Sequence, residues 1–172
     1  MATQKVIDKY ANLAAVHPVE AAAGTAKWEK YAFPFSIMDK MGLLITRIEY
    51  LFLSLTNLNS SGDSLEVALS VDSKITDFQD YTNPALVDSA YISRMDLGTA
   101  ASGVFIISPI IKDFSDLPGG GLLVAPNPLY GGVKSNGATG VMGAWVRLFY
   151  TYMELGADDY WQLVESRRVI TS

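Results

Sequence analysis

Leu43-Leu44-Ile45-Thr46-Arg47-Ile48-Glu49-Tyr50-Leu51-Phe52-Leu53-Ser54-Leu55 is the stretch that decides the fold class. Taken with a period of two, one parity carries Leu43, Ile45, Leu51, Leu53 and Leu55, and the other carries Leu44, Ile48, Tyr50 and Phe52. This is a long β-strand that is apolar on both faces. An antiparallel sheet with one wet face alternates cleanly between apolar and polar residues, so two apolar faces call for a second covering layer, either the chain's own helices and loops or another subunit. The segment from Val141 to Leu155 repeats the pattern, with Trp145, Phe149, Met153 and Leu155 on one side and Val146, Leu148, Tyr150 and Tyr152 on the other.

Outward from these two strands, Ser64 to Asp72 reads as a half-buried strand with Leu65, Val67, Leu69 and Val71 facing in and Ser64, Glu66, Ala68, Ser70 and Asp72 facing water. On that reading Val67→Asp unfolds the chain and Ala68→Asp is tolerated. Ala22 to Phe35 is expected to hold an early strand near a sheet edge, because Pro34 closes it and proline cannot donate to a ladder. Shorter strands are expected near Lys74 to Phe78, Leu86 to Arg94, Gly103 to Ser108 and from Leu122, with Pro126-Asn127-Pro128 as a corner and Ser135-Asn136-Gly137 as a turn. Val6, Tyr10, Leu13 and Ala14 fall at spacings of three and four, which predicts a helix within residues 1–16 ending before His17-Pro18. Residues 157–168 place Tyr160, Leu163, Val164 and Arg167 on one helical face. Asp158 and Asp159 lie in that helix's first turn, and Arg167 and Arg168 in its last, complementing the helix dipole.

The 172 residues thus form one domain: an N-terminal helix within 1–16, a β-sandwich over 22–155 and a C-terminal helix over 157–168. The expected class is all-β. About eight antiparallel strands with long irregular connections fit a single jelly-roll sandwich better than a closed up-and-down barrel.

Composition narrows the chemistry. There is no cysteine, which excludes disulfides, thiolate metal sites and cysteine nucleophiles. The one histidine, His17, cannot build a multi-histidine metal site and is a poor candidate for a catalytic triad. Asp113 and Asp116 flank Phe114 at a spacing better explained by a solvated turn than by calcium ligation. Gly119-Gly120-Gly121 lacks the Lys-Ser/Thr ending of a phosphate loop and precedes a strand, so it reads as a hinge. No catalytic residue, cofactor or metal is expected. The formal charge of −5 and the absence of any basic block beyond Arg167-Arg168 disfavour direct nucleic-acid binding. No apolar run reaches the roughly 18 residues of a membrane span, and the first 20 residues lack an apolar signal core.

The block Asp39-Lys40-Met41-Gly42-Leu43-Leu44-Ile45-Thr46-Arg47-Ile48-Glu49-Tyr50, the Pro126-Asn127-Pro128-Leu129-Tyr130 corner, and Val146-Arg147-Leu148-Phe149-Tyr150 running into Tyr160-Trp161-Gln162-Leu163-Val164-Glu165 together resemble small single jelly-roll capsid proteins of prokaryotic viruses. The likeness is one of layout over most of the chain. It implies a non-enzymatic building block of an icosahedral shell, located in the virion, whose partners are copies of itself, either alone or together with a second capsid protein. Genome contact would then fall to another virion protein or an internal membrane, because this N-terminus carries no basic arm. Double jelly-roll capsid proteins are much longer, so each copy would supply one barrel. The candidate subunit contacts are Tyr10, Trp28, Tyr31, Phe33, Arg47, Glu49, Pro126, Asn127, Tyr130, Tyr160 and Trp161. Arg47 and Glu49 share a strand face and are expected to pair with each other or with a partner, since a lone buried charge is too costly. The rival readings are a lectin-like carbohydrate-binding sandwich and a hydrolase using two carboxylates.

Overall fold

A computed structural model describes residues 5–6, 11–34, 40–94, 109–125 and 128–168. It is mostly β, built from two antiparallel sheets packed as a sandwich. The strands are β1 (Lys5–Val6), β2 (Asn12–Val16), β3 (Lys27–Lys30), β4 (Met41–Leu53), β5 (Ser64–Ser70), β6 (Leu86–Ser93), β7 (Ile110–Asp113), β8 (Leu122–Val124), β9 (Tyr130–Asn136) and β10 (Gly143–Glu154), followed by helix α1 (Ala157–Arg168). In the large sheet β10 and β4 lie side by side. β1 and β2 share the far edge of β10, and β7 and β8 share the far edge of β4. The small sheet runs β3-β9-β5-β6. The pairings are nested. β5 with β6 lies inside β4 with β7 and β8, that inside β3 with β9, and that inside β2 with β10.

The core fills the space between the sheets. Leu43, Ile45, Ile48, Tyr50, Val146 and Leu148 of the large sheet meet Leu65, Val67, Leu69 and Val133 of the small one, all sealed from water. The inward residues of β4 switch parity between Ile45 and Ile48 because the ladder with β10 slips there: Phe149 pairs with Arg47, and Tyr150 with Ile45. This β-bulge accounts for part of the two-sided apolar pattern. One continuous inner face changes parity halfway along the strand.

The second faces are covered locally. Over the end of the large sheet, α1 lays Tyr160 and Val164 on Met153, Leu155 and Ala125, with Leu44, Leu123 and Leu163 packed around them. Under the small sheet, the loop from 71 to 85 tucks Ile75, Phe78 and Ala85 against Ala68 and Trp28. Ser64, Ala68 and Ser70, expected to be wet, are therefore buried. The strand expected near Lys74 to Phe78 is instead a chain of turns in which Asp72, Asp77, Asp80 and Asn83 each accept from the backbone N–H two residues on.

The helix expected within residues 1–16 is not formed over Asn12–Val16, which is strand, with Leu13 and Ala15 exposed and Val16 buried. An isolated short helix is marginal, whereas the open edge of β10 offers unpaired backbone groups that a strand satisfies. The C-terminal helix forms over the expected residues, and β3 is an edge strand as expected. The segment Gly103 to Ser108 lies outside the described residues. Among the described residues no helix is long and apolar enough to cross a membrane.

Candidate functional site

The outer face of the large sheet, away from α1, carries three rows of side chains across β2, β10, β4 and β7. They follow directly from register. The first row runs Leu13, Phe149, Arg47, Asp113, and the second Ala15, Arg147, Glu49, Ile111. In the third, Trp145 pairs with Leu51, and the His17 ring stacks on Trp145 with centroids 4.5 Å apart and planes 8° from parallel. Leu13 is 59% exposed and Ile111 is 53% exposed, so the apolar ends of two rows stand in water.

The charges form a balanced network. Arg47 Nη2 lies 2.9 Å from Glu49 Oε1, and Arg147 Nη1 lies 3.8 Å from Glu49 Oε2. The Arg47 guanidinium also sits 4.0 Å above the centre of the Phe149 ring, and its Nε is buried with no hydrogen-bond partner. With Arg47 and Arg147 substantially open to water, such pairs contribute at most about 1 kcal/mol each to folding. The network is a poor stabiliser and a well-defined surface pattern.

Beside it, an open depression of about 270 Å³ is lined by Ala11, Thr46, Arg47, Asp113, Ser115 and Phe149. Asp113 Oδ1 accepts from the Ser115 backbone N–H (2.8 Å) and hydroxyl (2.6 Å). Those bonds, with the nearby Arg47 charge, hold the Asp113 carboxyl below its usual pKa. This aspartate closes β7 and its carboxylate caps the turn that follows at Ser115. No group of three or more metal-binding side chains occurs among the described residues.

Of the contact residues expected from sequence, Arg47 and Glu49 meet on this face. Tyr31 and Tyr160 are instead buried within the chain, and the Tyr31 hydroxyl donates to the Val146 carbonyl at 2.8 Å. Phe33 is half-buried against Tyr31 and Tyr150. Trp28 belongs to the small sheet's outer cluster, its ring 4.7 Å from that of Phe78 at a tilt of 48° and its indole N–H donating to Ile75 O at 3.1 Å. Tyr130 is half-buried at the start of β9. Trp161 is 44% exposed on α1, away from the rows. Tyr10, Pro126 and Asn127 lie outside the described residues.

Arg147, Leu13, Ile111 and Trp145 escaped the sequence reading as contacts. Arg147 had a signal: it interrupts the apolar parity between Trp145 and Phe149 just as Arg47 and Glu49 interrupt β4. Its position opposite Glu49 depends on register, which sequence does not display.

No protein-family model matches the chain, and no curated protein matches it.

Proposed function

We propose that this chain is a structural subunit of a viral capsid, a single jelly roll that assembles in many copies into an icosahedral shell. The observation that carries the reading is the nested wiring. A jelly roll wraps four nested antiparallel pairs into two four-stranded layers. Here the pairs are β5 with β6, β4 with β7 and β8, β3 with β9, and β2 with β10, and they join into layers through β10 with β4 in the large sheet and β9 with β5 in the small one. The layout resemblance of the sequence to small capsid proteins points the same way. So does a sheet face that mixes exposed apolar residues with balanced charges.

A lectin-like sandwich is the second reading. Hydroxyl and carboxylate groups beside Phe149 in the outer depression favour it. The Arg47 guanidinium over that ring occupies one of the surfaces on which a sugar would stack.

Sedimentation velocity and negative-stain microscopy on the purified protein, alone and with any co-purifying virion protein, test the proposal. Large closed particles are expected. A strictly monomeric protein in both preparations, together with saturable glycan binding lost on Phe149→Ala, would replace the capsid reading with the lectin one.

A further inference from the structure

We propose that two copies of this chain pack the outer faces of their large sheets against each other across a two-fold axis parallel to β4 and β10, with Arg147 of each copy opposite Glu49 of the other. The inference rests on the structural-subunit reading and deepens it by naming the occupant of this face.

The argument begins with charge. The chain carries a formal charge of −5, so two copies repel on average and approach most easily through a locally neutral surface. The three rows offer such a surface: Arg47 and Arg147 balance Glu49 and Asp113. Parts of the other sheet faces have cover from the chain, α1 at one end of the large sheet and the 71–85 loop beneath part of the small one, where Tyr91 stays exposed. On the rows, by contrast, Leu13 and Ile111 remain more than half exposed.

Symmetry then selects the arrangement. An isologous contact brings residue i against j and j against i, and for two facing sheets the axis lies in the plane of contact. An axis across the strands through the second row would set Arg147 on Arg147 and Glu49 on Glu49, which like-charge repulsion forbids. An axis along the strands, between β10 and β4, exchanges the two columns. Arg147 then meets Glu49, and Ala15 meets Ile111. Arg147 and Glu49 each find the opposite charge, Leu13 lies opposite Asp113, and the exposed isoleucine loses water against a small apolar neighbour. The strands of the two copies stack in nearly aligned fashion, a preferred packing of twisted sheets.

Because Arg147 and Glu49 are also neighbours within one chain, the test must separate the contact within a copy from the contact between copies. Glu49→Arg and Arg147→Glu are prepared separately and checked for folding by circular dichroism. Association is then followed by sedimentation, alone and in an equimolar mixture. Each variant alone is expected to associate at least tenfold more weakly than wild type. The mixture is expected to recover association as mixed pairs, because every contact between copies is again complementary even though each chain keeps its own like-charged pair. Ile111→Arg, at an exposed position that does not threaten the fold, is expected to weaken association by a similar factor.

A mixture that fails to recover, or an Ile111→Arg protein that associates like wild type, overturns the proposed face and leaves the subunit reading standing. Wild-type protein that stays monomeric at every concentration overturns both.

Discussion

Glu20 shows how much one buried side chain can hold in place. It is 4% exposed, and its carboxylate accepts from the Ser135 backbone N–H (2.6 Å), the Ser135 hydroxyl (2.9 and 3.0 Å) and the Met142 N–H (3.0 Å). The segment before β3 is thereby tied to β9 and to the start of β10. Glu20→Ala strands two backbone donors in a dry site and is expected to cost roughly 2–3 kcal/mol, read as a lower urea midpoint with an unchanged slope. Glu20→Gln keeps one acceptor oxygen and is expected to lose less. At alkaline pH the tyrosines decide. Burial, and after it the Asp88 carboxylate that accepts the Tyr50 hydroxyl at 2.7 Å, hold Tyr50 well above the ordinary value of 10.0. Burial, and after it Glu29, do the same for Tyr31. A folded pKa raised above the unfolded one favours the neutral form in the fold. The resulting stability is complete below the ordinary tyrosine value and is lost as pH rises from there through the folded values. Denaturant titrations are therefore expected to show a plateau at neutral pH and a decline above about 10, with a shallower decline for Tyr50→Phe.

At the level of elements, the small sheet's second face is the clearest departure from simple alternation. Ala68 is fully buried beneath Ile75 and Phe78, so Ala68→Asp, tolerated on a wet-face reading, is expected to destabilise by on the order of 3 kcal/mol. A variant with wild-type thermal stability would show that the 71–85 loop does not cover this face. The same cluster explains what sequence displayed and what it hid. β4, β5, β10 and α1 are legible because their apolar residues repeat at two or at three and four, β6 because turn residues bound it, and Pro34 marks the region of β3 as an edge. β9 is not, since Tyr130-Gly131-Gly132 reads as loop. Yet a Cβ on Gly132 would lie 2.4 Å from the Trp28 ring, and one on Gly131 2.5 Å from Val16, so the glycines are what let an inner strand fit between layers. Gly137, with φ of 77°, turns the chain out of β9 where a Cβ would collide with Asp63. The β2 segment was misread because four apolar residues happened to fall at helical spacing, while its fate was set by the edge of β10. The slip at Arg47 left no local mark, and Arg47 and Glu49 were legible as a pair only because both interrupt an apolar strand.

For the molecule as a whole, the wiring predicts where it is firm. β4 and β10 form the longest ladder, and β5 and β9 have partners on both sides, while β2, β3 and β6 each leave one edge unpaired by the described strands. Native-state hydrogen exchange is expected to be slowest in β4, β5, β9 and β10 and faster in β2 and β3. Uniform protection across all strands would contradict this ordering. Assembly should add protection selectively, at β2 and β7 on the outer rows, if copies meet there.

β10 is synthesised near the end of the described chain and yet lies in the middle of the larger sheet, between β4 and β2. On the ribosome, β5 and β6 can zip together early because only a loop separates them. β4 must wait, with one side unpartnered and its apolar inner residues uncovered, until β10 has left the exit tunnel. Pairings between segments so distant in sequence close slowly, and an uncovered strand of this kind is prone to stick to its neighbours. Chains born side by side from one message would meet in that state. The interval before β10 appears is therefore the time when the chain is most open to mispairing, and a polysome-bound chain halted just short of Gly143 would carry that vulnerability in its most persistent form.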